Sequence, residues 1–128
     1  MTDAISLALS GLNALSTSMA ATANNVANFN TDGYKARDAR LETGPGGQGV
    51  RVAELAVDDS PGGYRPAMVS GRNEAGVYEP SAALVETSNV DLARESVDML
   101  ETSRAFEANV AVVRTQDDML GRLIDLRV

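Results

Sequence analysis

Two stretches of the chain place apolar residues alternately four and three positions apart. In the first, Ile5, Leu9, Leu12, Met19, Ala23 and Val26 follow this spacing, with Ser16 as the polar gap, which is the pattern of a heptad seam on one helix face. It predicts a helix from about Ala4 to Asn28. Ala8 and Leu15 widen the stripe. Gly11 weakens the middle by ~1 kcal/mol relative to Ala unless a close neighbour exploits the missing side chain. In the second stretch, Leu92, Met99, Phe106, Val110, Val113, Leu120 and Ile124 continue the spacing, with polar residues at Ser96, Ser103 and Asp117. Ser88 and Asn89 are candidate N-caps, and Asp91 puts a carboxylate in the first turn, where the helix dipole favours it. Arg94/Asp98 and Asp118/Arg122 stand four apart, as on a solvated face. A helix from residue 90 to 127 follows.

The segment between reads differently. Ala36 to Thr43 and Val50 to Val57 suggest short strands, although Glu54 shares a face with Val50 and Val52 and spoils the alternation. GPGGQG between them matches the spacing of a phosphate-cradling glycine loop at Gly44, Gly46 and Gly49. It precedes a β-like run instead of opening a helix, and Pro45 lies inside it, so a hairpin turn is the better reading. SPGG at 60 to 63 and the residues on to Pro80 carry turn formers with little periodicity, and are expected to be loops. The fold expected is therefore mainly α: long N- and C-terminal helices in a coiled-coil hairpin, with a small β-hairpin insert. Its divisions are a discontinuous helical domain of 1–33 and 89–128 and an insert of 34–88.

Helix lengths bear on function. The two helices would span ~37 Å and ~57 Å, and a small domain is about 30 Å across. About 20 Å of striped helix must then meet the middle segment, another subunit or water. An early stop or bend near Gly121 would instead give a plain bundle that hides its own stripe.

Charge and composition remove most chemistry. The 128 residues contain no cysteine and no histidine, so thiolates, imidazole bases and the usual zinc sets are absent. Lys35 is the one lysine, Asp58-Asp59 lack the further ligands of a calcium loop, and Asp117-Asp118 diverge by about 100° on a helix. No catalytic residue, cofactor or metal site is expected, and the protein is not expected to be an enzyme. A net charge of −7 and a pI near 4.4 repel nucleic acid and anionic membranes. Neither a cleavable signal nor a membrane span of ~20 apolar residues is expected.

One stretch stays unexplained by periodicity. NNVANFNTDGYK, residues 24 to 35, packs four asparagines into seven positions. Its plain reading is a helix end, with Asn28 or Asn30 in the left-handed conformation and Asp32-Gly33 turning the chain toward a strand. Yet Asn24 and Asn28 are four apart, on one face beside the seam, where a terminator alone would not need them.

The run AATANNVANFNTDGYKA, residues 20 to 36, resembles the N-terminal signature of the flagellar axial (rod and hook) proteins. ETSNVDLARESVDMLETSRAFEANVAVVRTQDDMLGRLIDL, residues 86 to 126, is similar to the C-terminal motif of the same family. The size is most like a short proximal rod member, since 128 residues leave no room for the large β domains that distal rod and hook proteins carry between the motifs. SNVDLA after ALVET nevertheless looks more like a distal-rod ending. The resemblance implies a structural subunit of the bacterial basal-body rod, a periplasm-spanning drive shaft that transmits torque. It implies assembly through the terminal helices with copies of itself and other rod proteins, and passage through the flagellar type III export apparatus without a cleaved signal peptide. Direct membrane insertion and nucleic-acid binding are not implied. The assembly interface would be Ile5, Leu9, Leu12, Met19, Val26, Leu92, Met99, Phe106, Val110, Val113, Leu120 and Ile124. The helix-to-strand corner would comprise Asn24, Asn25, Asn28, Thr31, Gly33 and Tyr34. A cytoplasmic helical adaptor or chaperone-like module is the alternative from another functional class.

Overall fold

The computed structural model describes residues 2–72 and 75–126. Helix α1 runs Thr2–Ala27 and helix α2 Leu92–Asp125, with four strands between them: β1 (Arg37–Thr43), β2 (Val50–Val57), β3 (Tyr64–Arg72) and β4 (Tyr78–Glu86). β1 pairs antiparallel with β2, and β3 with β4, in two separate two-stranded sheets. The expectation of a mainly α hairpin with one small β-hairpin insert is thereby corrected: two helices and two β-ribbons make a mixed α and β architecture.

The second ribbon went unread because it has no buried side to impose a pattern. Both faces of β3 and β4 are largely solvent-exposed, so no core selects alternation. Pro66 and Pro80 also lie within the strands, which a central strand would reject but a two-stranded sheet, being all edge, accepts. In the first ribbon, GPGGQG closes the turn through one 3₁₀ turn at Pro45–Gly47, and Gly46, Gly47 and Gly49 adopt positive φ. The ribbon lies against α1. There the Val50 amide donates to the Ser10 hydroxyl at 3.2 Å, and a side chain at Gly49 would collide with Ser10.

The helices are antiparallel, with Asn25 bonded to Glu95 and Gly11 against Asn109. Continuing that register puts Thr2 opposite about residue 118, so α2 overhangs by only ~10 Å, less than the expected ~20 Å. Asp91, not Ser88 or Asn89, caps α2, accepting from the amides of Ala93 and Arg94 at 2.9 and 3.4 Å. Residue 127, included in the expected helix, lies outside the described residues.

The buried seam is displaced by one residue from the apolar one. On α1 the positions buried within the chain include Ala8, Gly11, Thr22 and Asn25; on α2 they are Glu95 and Thr102, with Asn109 half-buried one heptad on. Each lies one position before a member of the heptad series read from the sequence, Glu95 and Thr102 before its polar gaps Ser96 and Ser103, a rotation of about 100°; Ala14, also buried, does not follow this register. Small residues allow close approach: a Cβ at Gly11 would stand 3.0 Å from Asn109 Oδ1. Large residues of the apolar series flank the closest approach, half-buried or exposed.

The accessible surface is 9042 Å², against about 6,500 Å² for a compact monomer of this mass. The buried apolar residues are Ala8, Ala14, Ala36 and Val90 among those described. Contrary to the sequence expectation, Ala4–Ala27, at mean hydropathy 1.3, is long and apolar enough to match a membrane-crossing helix by length and composition. In this fold Ala8, Ala14, Thr22 and Asn25 of that helix are buried.

Candidate assembly site and the corner that orients it

α1 ends in a short ladder of side-chain amides. Asn28 Nδ2 donates to the Asn24 carbonyl at 2.9 Å and to Asn24 Oδ1 at 2.8 Å, and the Thr31 hydroxyl donates to Asn28 Oδ1 at 3.1 Å. Carbonyls left open at a helix end are met in this way. Among the described residues only glycines take positive φ, and Gly33, at 68°, makes the left-handed step. The expectation that Asn28 or Asn30 would take it is corrected: Gly33 takes it without a Cβ penalty, and the Asn28 amide bonds Asn24 and Thr31 instead.

Asn25 occupies the centre of the corner, with none of its surface exposed. Its Nδ2 donates to the Arg37 carbonyl and to Glu95 Oε1, both at 2.9 Å, while its Oδ1 accepts from the Arg37 amide at 2.9 Å and the Tyr34 hydroxyl at 3.1 Å. Tyr34 also lies 3.2 Å from Asn24 Oδ1. The amide of Asn25 thus imitates a paired strand for β1 and reaches α2 with its remaining proton, filling all four positions it has. Its partner Glu95 is buried at 4 % exposure. Burial raises the Glu95 carboxyl above its ordinary range against the lowering effect of the Asn25 bond, and the nearby Asp38 and Asp98 add to the rise.

A second asparagine closes the other side. Asn89 Oδ1 accepts from the Ala36 amide at 2.7 Å, and its Nδ2 donates to the carbonyls of Asp58 and Ser60 at 2.8 and 3.0 Å. Lys35 Nζ donates to Glu86 Oε1 and to the Ser60 carbonyl, each at 2.8 Å, and the Gly62 amide donates to the same Glu86 oxygen at 2.8 Å. The Lys35 bond, then the Gly62 bond, hold the Glu86 carboxyl below its usual range. A hydrogen bond from Ser60 does the same for Asp58. Asp32 receives Arg65 in a fork at 2.8 and 3.2 Å. Residues of the N-terminal run therefore bond chiefly to residues of β1, the 58–62 loop and the start of the C-terminal run.

The twelve expected seam residues lie outside this network. Ile5, Leu12, Met19, Val110, Val113 and Leu120 are half-buried, whereas Leu9, Val26, Leu92, Met99, Phe106 and Ile124 are exposed. Leu15, Met19 and Ala23 of α1 and Phe106 of α2 line one open groove along the helix pair. A surface of this kind can receive another helix.

Sequence reasoning picked out the six corner residues and missed Lys35, Glu86, Asn89 and Glu95. Lys35 carried a signal as the one lysine of the chain, and Asn89 as an amide flanking the second motif. Glu95 carried a signal too, being a charged residue inside a helix one position off the apolar seam.

Comparison with known proteins follows the same division of the chain. Residues 5–35 match the family described as Flagella basal body rod protein, and residues 82–126 the one described as Flagellar basal body rod FlgEFG protein C-terminal. The flagellar basal-body rod protein FlgC of Salmonella typhimurium is 34 % identical over 98 residues, covering 66 % of this chain and 73 % of the relative. FlgC of Borreliella burgdorferi is 38 % identical over 78 residues, covering 57 % of this chain and 47 % of the relative. The flagellar hook protein FlgE of Escherichia coli is 42 % identical over 43 residues, covering 34 % of this chain and 11 % of the relative. The chain thus spans about half the length of the Borreliella relative and a small part of the hook protein.

Proposed function

Because the chain belongs to the flagellar basal-body rod protein family, we propose that it is a subunit of the basal-body rod that self-assembles through its terminal helices into a tubular shaft transmitting torque. The observation that carries this reading is the one-residue displacement of the seams. Small and polar side chains are the most buried between α1 and α2, so Leu9, Val26, Leu92, Met99, Phe106 and Ile124 of the apolar series are left exposed and the rest half-buried, as suits a helix pair that packs on further helices. Segments 1–33 and 89–128 act as the assembly unit and 34–88 as the β segment set between them. The assembly interface is the twelve-residue series from Ile5 to Ile124, oriented by the amide corner.

On this reading the partners are further copies of the chain and other rod proteins. The subunit reaches the periplasm-spanning rod through the flagellar export apparatus without a cleaved signal peptide, and no enzymatic step, cofactor or metal takes part.

Phe106→Asp tests the proposal. The side chain is exposed in the monomer, so helicity by circular dichroism should remain, while swimming in soft agar and rods in purified basal bodies should be lost. Normal rods in a strain carrying only the variant would overturn the reading.

A further inference from the structure

One face of the β3–β4 ribbon carries a cluster of exposed apolar side chains, with Ser70, Arg72 and Glu86 on the same side. Pairing sets Tyr64, Pro66 and Met68 on the same side as Leu84, Ala82 and Tyr78, because Pro66 faces Leu84, Met68 faces Ala82 and Arg72 faces Tyr78 across the ladder. Tyr64, Met68, Tyr78 and Leu84 are 64, 71, 71 and 72 % exposed. Together they present on the order of 600 Å², approaching the about 800 Å² per partner of a standard interface. A lone two-stranded ribbon is marginal in water and is ordinarily completed by packing on something else.

The same chain carries a second unpartnered surface at its far end. Val112, Met119 and Leu123 of α2 and its C-cap residue Leu126 follow one stripe at heptad spacing, all exposed, over ~21 Å. The ribbon face is ~26 Å long, so the two match in length as well as in chemistry. Beyond Val112, which stands ~30 Å along α2 from its start, they cannot meet within one molecule. The ribbon is rooted at the corner, where the Gly33 amide donates to the Glu86 carbonyl at 2.8 Å and the Thr87 amide to the Gly63 carbonyl at 2.7 Å, beside the N-terminal end of α2. Leu123 lies ~46 Å along the helix from that end, beyond the reach of a ribbon of ~30 Å.

We infer that the apolar face of β3–β4 in one copy receives the C-terminal stripe of α2 from the next copy, a head-to-tail contact that repeats along an open assembly. Because the two surfaces differ, the contact is heterologous and propagates instead of closing into a dimer. It rests on the self-assembly proposed above and adds to it a contact outside the helix groove.

The chain has no cysteine, which gives a clean test. Full-length Met68→Cys and Leu123→Cys proteins are concentrated separately and as a mixture, treated with a short bismaleimide, and resolved by denaturing gel and peptide mass spectrometry. The expected result is a 68-to-123 cross-link in the mixture exceeding, by at least tenfold, any product of either variant alone. Assemblies that form by light scattering without that cross-link would overturn the head-to-tail contact and leave self-assembly standing. Equal cross-linking by Met68→Cys alone would also overturn it, in favour of a symmetric ribbon pair. No association at any concentration would overturn both.

Discussion

At the corner, Asn25 commits every hydrogen-bonding position of its amide inside the subunit; along the β3–β4 ribbon, Met68 and Leu84 stand mostly in solvent. Both regions were expected to be parts of one modest insert and its border. The polar region is the closed one, and the apolar region is open. In a monomeric domain the assignment runs the other way, with apolar groups inside and amides in water. The inversion follows from what each chemistry can do without a partner. Amides that satisfy one another fix a geometry locally and lose heavily if one is removed. Aliphatic surface gains only when something covers it. The corner therefore ties α1, β1 and α2 together, while the stripe and ribbon leave apolar surface that nothing within the described residues covers fully.

The hardest test of this contrast is Asn25→Ala. It strips partners from both the amide and the carbonyl of Arg37 and leaves the buried Glu95 without its hydrogen-bond donor. Buried groups left unsatisfied cost ~1–3 kcal/mol each, so a loss of about 3–5 kcal/mol is expected in urea unfolding monitored by circular dichroism. A loss under ~1 kcal/mol would mean that the corner is incidental and that the helices alone hold the subunit.

How much of this could be read from the chain depends on whether one element or several define the feature. Helix existence was legible because seven-residue periodicity is a property of each segment alone. β1 and β2 were legible in the same local way, and NNVANFNTDGYK was visible as an excess of amides. Which helix face turns inward was not legible. Hydrophobicity pointed to the Leu9 and Phe106 series, but the contact selects residues that let backbones approach, which is why Gly11 meets Asn109 there. Nor could the bonds from Asn25 to Glu95, or Lys35 to Glu86, be read, since they join positions 70 and 51 apart. β3 and β4 were hidden because alternation is written by burial, and these strands have none to write it.

A gentler probe separates the corner's charge from its hydrogen bonds. Burial raises the Glu95 carboxyl above its ordinary range, so the folded chain holds that proton more tightly than the unfolded chain. Where pH lies between the ordinary and the raised values, the folded state carries more protons, and this contribution to stability falls as pH rises. It is a full penalty above both values and absent below them. Glu86, held low by Lys35, acts oppositely, stabilising above its ordinary range and losing that contribution as pH falls. Glu95→Gln keeps an oxygen to accept from Asn25 and removes the charge. The variant should gain up to about 1 kcal/mol at pH 7, and the gain should shrink as the medium is acidified toward pH 4. A variant destabilised equally at all pH values would show that the charged form of Glu95 is what the corner uses.

The smallest effect should come from the ribbon, and its smallness is the point. Leu84 is 72 % exposed and lies opposite Pro66 on the apolar face. Leu84→Thr introduces a β-branched residue suited to a strand while removing most of the apolar surface. If the face has no partner inside the subunit, monomer stability should change by less than about 0.5 kcal/mol, the usual range for surface substitutions. A loss above ~1 kcal/mol in dilute urea titrations would place the face against the rest of the chain and remove the contrast with the corner. A small loss together with weaker association at high concentration would sharpen it, because the same leucine would then matter only between molecules. A folded ribbon that tolerates this change must owe its persistence to the ladder of β3 with β4 and to its anchorage at Gly33, Gly63 and Thr87.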